Sequence, residues 1–269
     1  MIHPTAVIHP KARLDSTVVV GPYAVIDEHV TVGPQCTLGP HVYLTGHTTI
    51  GAHNHFHAGC VVGNAPQDLK YKGAPSRLRI GDDNIIREHV TVHRANTPEE
   101  DTVIGSHNLL MHHCHIAHNV ALGDHIILSG GAMLAGHVHV GDRAVISGNC
   151  LVHQFVRIGA LSMMQGGTAI SKDLPPFCIA HGVNSLGGLN VIGLRRAGFT
   201  GEQRLELRKL HRLLFRDSGL LRERIAKARK EFSSEPARVL IEFVATSKRG
   251  VCSRAGSGDD EEESDDSEA

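Results

Sequence analysis

The sequence has no tryptophan, and only 4% of its 269 residues are aromatic. It has no apolar run of about 18 residues, so we expect no transmembrane helix. Its N-terminus, Met1-Ile2-His3-Pro4, has neither the basic nor the apolar region of a signal peptide. The six cysteines form no CxxC pair, which favours buried thiols in a reducing cytoplasm. The formal net charge of -1 gives the whole molecule no preference for nucleic acid.

What the sequence does contain is a six-residue hydrophobic repeat. Of 29 positions taken every six residues from Ile2 to Ile170, only Asp68, Ala74 and Pro98 are not Ile, Leu, Val, Phe or Met. A period of six fits a short strand followed by a tight turn. Three such units make one triangular coil of 18 residues, and coils stack through parallel strands about 4.8 Å apart. The repeat therefore predicts a parallel β-helix with a narrow aliphatic core.

The breaks in the repeat indicate the domain organisation. Asp68, Ala74 and Pro98 predict loops that leave the coil near 63–79 and 96–101, within a solenoid over 1–190. Beyond it the apolar spacing becomes helical, and Thr200 to Gln203 has the form of a capping box, which predicts a helical domain over 191–250. Residues 251–269 end in glycine, serine and acidic residues and are expected to be a disordered acidic tail.

The 18-residue coil places two chemically useful residues side by side. Gly136 follows His118 by 18 positions, so the two are expected one coil apart, at about 5 Å. A neutral imidazole beside a glycine amide suits acyl transfer. The imidazole takes a hydroxyl proton, and the amide stabilises the oxyanion of the tetrahedral intermediate.

Two other functions fit the same repeat. Most of the 21 histidines are expected to be solvated turn or interface residues, but His113 and His118, with His93 and His137, are candidates for a zinc site. The γ-class carbonic anhydrases hold zinc on such a solenoid. A structural solenoid that binds partners without turnover is the third possibility.

Eight short motifs follow one another in a fixed order and spacing. They are Gln67-Asp68-Leu69-Lys70-Tyr71, Ile86-Arg87-Glu88 with Val92-His93-Arg94, Asn108-Leu109-Leu110-Met111, His115-Ile116-Ala117-His118, Leu134-Ala135-Gly136-His137, Val152-His153-Gln154-Phe155, Asp173 through Pro176, and Gly193-Leu194-Arg195-Arg196. Together they resemble the UDP-N-acetylglucosamine 3-O-acyltransferase family over residues 1 to about 250.

The resemblance implies a left-handed β-helix with a C-terminal α-helical domain, which departs from the usual right-handed parallel crossover. It also implies a homotrimer with its active sites between neighbouring solenoids and no cofactor or metal. The implied reaction moves a 3-hydroxyacyl chain from acyl carrier protein to the 3-position of a UDP-amino sugar, the first committed step of lipid A biosynthesis.

The resemblance further implies roles for single residues. His118 is similar to the general base of the family and Gly136 to its oxyanion donor. Gly166 matches the position that sets acyl length, where glycine favours a long chain. The residues similar to those that contact sugar, acyl chain or nucleotide are Asp68, Lys70, His93, His115, His137, His153, Gln154, Asn190 and Arg196.

Two positions depart from the family pattern. Asn119 stands where an acidic residue commonly orients the catalytic histidine, so we expect a weaker base or a substitute carboxylate elsewhere. Ile192 stands where glutamate often precedes Gly193. The acceptor therefore stays open between N-acetylglucosamine and its 3-amino analogue.

The helical region has its own charge pattern. Between Arg195 and Lys230 there are 12 Lys and Arg against four Asp and Glu. A basic surface suits docking of the small acidic acyl carrier protein, although a solvated helix face would have the same composition.

Overall fold

A computed structural model describes residues 1–253, which form 27 strands and four helices. The strands are β1 (Val7–Ile8), β2 (Arg13–Leu14), β3 (Val19–Val20), β4 (Val25–Ile26), β5 (Thr31–Val32), β6 (Thr37–Leu38), β7 (Tyr43–Leu44), β8 (His47–Ile50), β9 (His55–Phe56), β10 (Val61–Asn64), β11 (Arg77–Ile80), β12 (Ile85–Ile86), β13 (Thr91–His93), β14 (Asp101–Ile104), β15 (Leu109–Leu110), β16 (His115–Ile116), β17 (Ala121–Leu122), β18 (Ile127–Leu128), β19 (Met133–Leu134), β20 (His139–Val140), β21 (Val145–Ile146), β22 (Leu151–Val152), β23 (Arg157–Ile158), β24 (Met163–Met164), β25 (Ala169–Ile170), β26 (Cys178–His181) and β27 (Ser185–Leu189). The helices are α1 (Val191–Arg196), α2 (Gly201–Phe215), α3 (Leu221–Glu231) and α4 (Glu235–Ala245).

Every third strand belongs to the same sheet, so the chain winds round three sheets. The nine-stranded sheet runs β1-β4-β7-β10-β13-β16-β19-β22-β25, and an eight-stranded sheet runs from β2 to β23 in the same way. A third sheet of ten strands starts at β3 and ends with the antiparallel pair β26-β27. All other strand pairs are parallel, and the predicted left-handed parallel β-helix is confirmed.

The predicted apolar positions form the core. Ile8 pairs with Ile26, 18 residues later, and the same step joins Ile116 to Leu134 and Leu134 to Val152. These side chains point inward because alternate residues of a strand face opposite sides, and most are completely buried.

The chain leaves the coil twice, and each loop lengthens the pairing step. Between β10 and β13 the step is 30 residues, since Val61 pairs with Thr91, and residues 65–76 form the loop. Between β13 and β16 it is 24 residues, since Thr91 pairs with His115, and residues 94–100 form the second loop. Both extra lengths are multiples of six, so the hydrophobic register is kept.

The first loop, 65–76, is shorter than the predicted segment 63–79 at both ends, and the second loop, 94–100, begins two residues before the predicted 96–101 and ends one residue before it. Arg77–Ile80 already forms β11, which pairs with β8 and β14 on either side. Asp101 begins β14 and accepts a hydrogen bond from Arg77 at 2.6 Å. Strand pairing therefore resumes earlier than the loss of apolar anchors indicated.

A ladder of buried asparagines lines one inner corner of the coils. The side-chain oxygen of Asn54 accepts from the backbone amide of Asn84, and that of Asn84 accepts from the amide of Asn108. The side-chain amide of Asn84 also donates to the carbonyl of Gly105 at 2.9 Å. The ladder satisfies backbone groups that a turn would leave unpaired inside the solenoid. Sequence reasoning did not find it.

Histidines are frequent because many of them occupy left-handed corners. Such a corner residue follows its apolar anchor by three and has φ near +57°, a region that histidine, asparagine and aspartate enter more readily than most residues. Their rings stack along the edge, as in His107 with His125 at 4.8 Å and His89 with His113 at 5.2 Å. The corner histidines are His41, His53, His89, His107, His113, His125 and His137.

The helices pack on the hairpin that ends the solenoid. Thr200 caps α2 with the predicted capping box, and Leu207, Leu210 and Leu214 form a second core with Leu240 of α4. The longest helix within residues 1–253 has 15 residues, and none there is both long and apolar enough to cross a membrane.

The segment after α4 returns to the solenoid. Val251 bridges to Asp173, Ser253 bridges to Ser185, and Cys252 between them is fully buried. Placing 251–253 in a disordered tail was therefore wrong, because these residues complete backbone pairing at the end of the coil. The acidic remainder, 254–269, lies outside the described residues.

Candidate active site

His118 and Gly136 lie against each other in successive coils, as the register predicts. A side-chain carbon added to Gly136 would lie 2.6 Å from Cε1 and 2.7 Å from Nε2 of His118. The imidazole therefore rests directly on the Gly136 backbone, and only glycine leaves room for it. Strand pairing of Ile116 with Leu134 fixes this arrangement.

The neighbouring Asn119 defines the tautomer of His118. The backbone amide of Asn96, which can only donate, points at Oδ1 of Asn119 from 3.0 Å. That oxygen is therefore the acceptor in the 2.8 Å contact with Nδ1 of His118, and Nδ1 carries the proton. The lone pair of Nε2 is then free to take a proton on the side that faces Gly136.

Three predicted histidines surround His118, and burial disfavours their charged forms. Desolvation lowers the pKa of His93, and it lowers the pKa of His115 to about 4. Burial, followed by the charge of His118, lowers the pKa of His137, whose ring meets His118 edge-on at 5.2 Å. These neighbours are neutral near pH 7, so they do not place positive charges beside His118.

Two of these histidines also hold the surrounding structure. Nδ1 of His93 donates to the carbonyl of Ala65, at the start of the first loop, at 2.5 Å. Nδ1 of His115 contacts the hydroxyl of Thr91 at 2.8 Å, and its ring meets that of His93 at 5.3 Å. The loop is thus tied to the coil beside His118.

Asp68, in the first loop, is held in place by Asn96 of the second loop. Its Oδ2 accepts from the Asn96 side-chain amide at 3.0 Å, and its Oδ1 accepts from the backbone amide of Lys70. The hydrogen bond from Asn96 is the main reason why the pKa of Asp68 is lowered. The Lys70 side chain is exposed, so its predicted contact with substrate stays a prediction.

A cavity of about 440 Å³ opens beside the His118–Gly136 pair. Of the predicted residues, His93, His115, His153 and Gln154 line it with the pair itself. Its wall also includes Gln67 and the apolar Met133 and Leu151, which sequence reasoning missed. Met133 and Leu151 each precede an apolar anchor of the same sheet, so the repeat register could have placed them there.

Six predicted residues do not line this cavity within one chain: Asp68, Lys70 and His137, described above, and Gly166, Asn190 and Arg196. Gly166 follows β24 of the ten-stranded sheet, where an added side-chain carbon would contact only the Gly148 carbonyl at 3.6 Å. Asn190 caps α1, accepting from the Gly193 amide and donating to the Leu161 carbonyl. Arg196 lies exposed at the end of α1.

The candidate zinc ligands are also separated. His113 stacks on His89 at a solenoid corner, whereas His118 contacts Asn119 and His137. Over residues 1–253, no three His, Cys, Asp or Glu side chains are placed to hold a metal ion together.

Comparison with known proteins gives a consistent result. Residues 29–64 match the model of the bacterial transferase hexapeptide family, and residues 173–252 match that of the UDP N-acetylglucosamine O-acyltransferase domain 2 family. The acyl-[acyl-carrier-protein]--UDP-N-acetylglucosamine O-acyltransferase of Sulfurihydrogenibium sp. is 53% identical over 257 residues, covering 94% of this chain and 95% of that protein. The enzyme of the same name from Trichlorobacter lovleyi is 50% identical, covering 93% and 98%.

A solved structure agrees with these relatives. The UDP-N-acetylglucosamine acyltransferase of Francisella novicida superposes with a TM-score of 0.91 at 32% identity, and 95% of each chain is covered. The similarity thus spans both the solenoid and the helical domain. The chain belongs to the acyl-[acyl-carrier-protein]--UDP-N-acetylglucosamine O-acyltransferase family.

Proposed function

We propose that this chain transfers a 3-hydroxyacyl group from acyl carrier protein to the 3-position of UDP-N-acetylglucosamine, the first step of lipid A biosynthesis. The observation that carries the proposal is the His118 imidazole resting on the Gly136 backbone. Family membership supplies the substrate class, because the relatives are named for this reaction.

The pair supplies the two groups that the reaction needs. The sugar 3-hydroxyl oxygen attacks the thioester carbonyl carbon while Nε2 of His118 takes the hydroxyl proton. The carbonyl oxygen becomes the oxyanion, which the Gly136 amide stabilises by a hydrogen bond. The carbon–sulfur bond then breaks, and the imidazolium returns the proton to the thiolate. Each of the two groups can lower the barrier by about 2–4 kcal/mol.

Other predicted residues fit substrate contacts in this scheme. Asp68 projects from the first loop near His118, since the charge of His118 contributes to lowering the Asp68 pKa. Lys70, exposed on the same loop, suits an oxygen of the acyl chain or a phosphate. His153 and Gln154 also line the cavity, and our scheme assigns them to the nucleotide.

We also infer that the enzyme acts as a homotrimer. Met133 and Leu151 line the cavity but are 49% and 51% exposed in one chain, which favours a partner that covers them. Gly166, Asn190 and Arg196 lie away from this cavity, so a neighbouring copy could bring them to it. In that arrangement Gly166 faces the acyl chain and Arg196 the diphosphate.

The helical domain is our candidate docking surface for acyl carrier protein. A second cavity of about 510 Å³ lies between α2 and the end of β27, and Arg208, Arg212 and Arg216 line it with His211. These arginines follow one face of α2 at helical spacing. We place the reaction in the cytoplasm, and the six buried, unpaired cysteines fit a reducing compartment.

The test is a transfer assay with purified protein. UDP-N-acetylglucosamine and its 3-amino analogue are each offered with a panel of 3-hydroxyacyl carrier proteins, and product is identified by mass spectrometry. We expect an ester product with the first acceptor and release of free carrier thiol. Folded protein that acylates neither acceptor from any donor would contradict the proposal.

A further inference from the structure

The hydrogen bonds around Asn119 extend beyond His118. The side-chain amide nitrogen of Asn119 donates to Oε2 of Glu100 at 2.6 Å. The same Glu100 oxygen lies 3.7 Å from Nδ1 of His137. A chain of contacts therefore runs from the carboxylate of Glu100 through the amide of Asn119 to Nδ1 of His118.

Hydrogen bonds hold Asn119 in place at its backbone amide and at both polar atoms of its side chain. Its backbone amide donates to the buried hydroxyl of Thr102 at 2.8 Å, and its Oδ1 accepts from the Asn96 amide. Its backbone lies at a left-handed corner, with φ of 57°. Asn119 is 5% exposed, so its side chain cannot turn away without losing buried hydrogen bonds.

We propose that Glu100 is a positioning residue for catalysis and supplies, through Asn119, the negative charge that orients His118 and stabilises its imidazolium. This inference rests on the proposed function. The Asn119 amide orients the imidazole directly, because its nitrogen donates to the carboxylate while its oxygen accepts from the ring. The negative charge of Glu100 acts on the ring through space and by polarising the amide, and it favours the protonated ring formed during transfer.

The second loop places the Glu100 carboxylate beside Asn119. Glu100 is its last residue, immediately before β14, and Asn96 in the same loop bonds both Asn119 and Asp68. The two loops thus meet at Asn96, next to the catalytic pair. The carboxylate that is absent from position 119 is present 19 residues earlier in the chain and one coil away.

The effect of Glu100 on His118 must be distinguished from the effects of the other charged and titratable groups nearby. Asp68 interacts with His118 through space, and His93 and His137 are its imidazole neighbours. None of the three accepts a hydrogen bond from the Asn119 side chain in the described structure, whereas Glu100 does. Because the Glu100 side chain is 60% exposed, solvent screens its charge and its effect is modest.

The first experiment compares Glu100→Gln with Glu99→Gln. Both substitutions remove one carboxylate from the same loop. Glu99 is exposed, as Glu100 is, and directly precedes it in the chain. We expect Glu100→Gln to lower kcat about two- to fivefold with KM unchanged. We also expect the acidic limb of its kcat–pH profile to move to lower pH, because a ring without the charge is harder to protonate. Glu99→Gln should change neither.

The second experiment exchanges the two side-chain types. Asn119→Asp alone places two carboxylates in direct contact, and we expect it to lower activity. Adding Glu100→Gln to Asn119→Asp lets the new amide donate to the new carboxylate, and we expect activity near that of the original enzyme. The effect of Glu100→Gln should thus reverse its sign between the two backgrounds. An effect of equal size and sign in both, or a Glu100→Gln variant that matches Glu99→Gln, would overturn the proposal.

A third measurement needs no acyl substrate. Diethyl pyrocarbonate modifies neutral imidazoles, and tandem mass spectrometry resolves the rate at His118 from the rates at other histidines. At a pH where imidazoles are neutral, we expect slower modification of His118 in Glu100→Gln than in Glu99→Gln, since a less basic ring is a weaker nucleophile. Unchanged rates would count against Glu100. If the enzyme transfers no acyl group but this difference is found, the proposed function fails and the role of Glu100 on His118 does not.

Discussion

The imidazole of His118 and the backbone of Gly136 occupy adjoining space, so that any side chain at 136 would displace the ring. An added carbon would lie 2.6 Å from Cε1 of His118, well inside contact distance. Gly130 and His112, on the preceding face of the solenoid, have the same relationship at 2.5 Å. The two pairs share geometry, but only the first lines the candidate active-site cavity.

This duplicated geometry makes a controlled test of the oxyanion site. We expect Gly136→Ala to lower kcat by about 10²- to 10³-fold, because the methyl group moves His118 and blocks approach to the amide. Gly130→Ala should shift His112 in the same way and leave the rate unchanged. Steady-state kinetics with matched circular dichroism spectra separates the two. Equal rate losses in both variants would mean that the effect arises from the fold.

His118 itself is expected to be the general base. His118→Ala should lower kcat by about 10²- to 10⁴-fold and retain the fold, since the ring is half-buried and outside the core. His112→Ala removes the ring of the matched pair and should have little effect on rate. The assay is transfer from 3-hydroxyacyl carrier protein, with unfolding monitored in parallel. An active His118→Ala enzyme would require another base.

The asparagine ladder should contribute strongly to stability. Asn84→Ala leaves the Asn108 amide and the Gly105 carbonyl without their partner inside the solenoid. We expect the free energy of unfolding in urea to fall by about 2–3 kcal/mol. Thr49→Ala, at an exposed strand position, should change it by less than about 0.5 kcal/mol. Similar small changes in both would show that the ladder is dispensable.

The helical domain should lose stability in acid. Burial, and then the charge of Arg216, lowers the pKa of His211 from 6.5 to about 4. The unfolded chain therefore binds a proton at a higher pH than the folded one, so stability is full above pH 6.5 and falls as the pH drops towards 4, by up to about 3 kcal/mol.

His211→Leu should remove this part of the pH dependence. Nε2 of His211 has no hydrogen-bond partner among residues 1–253, so leucine loses little there at neutral pH. Thermal or urea unfolding measured across the range from pH 4 to 7 gives the slope. The exposed His181, replaced in the same way, is the control and should keep the slope. A slope that persists in His211→Leu would assign it to other groups.

The sequence predicted the solenoid and the contact between His118 and Gly136 because both depend on one local rule. A large apolar residue every six positions fixes the coil, and the coil then places His118 over Gly136. The asparagine ladder obeys the same rule, since Asn54, Asn84 and Asn108 each precede an apolar anchor by two. The loops spread its members 30 and 24 residues apart, which hides the regular spacing of 18.

The remaining features depend on contacts between distant segments. Glu100 reaches Asn119 only because the second loop folds back over the next coil, and no periodicity in the sequence reports that path. Residues 251–253 return to Asp173 and Ser185 through pairing across about 70 positions of chain. Such contacts are set by tertiary packing and not by local preference.

Histidine can occur in this architecture for two separable reasons, the torsion of the left-handed corners and the chemistry of its side chain. At the third position after an anchor, backbone torsion alone favours it, so a ring such as His53 or His125 reflects turn geometry. His118, two positions after its anchor, has no such backbone reason, and our proposal gives it a chemical one, while His137 occupies a corner and also contacts the His118 ring. Counting from the nearest anchor therefore identifies the histidines whose presence corner torsion can explain, but it does not mark the others as reactive, since His112 stands at the same position as His118.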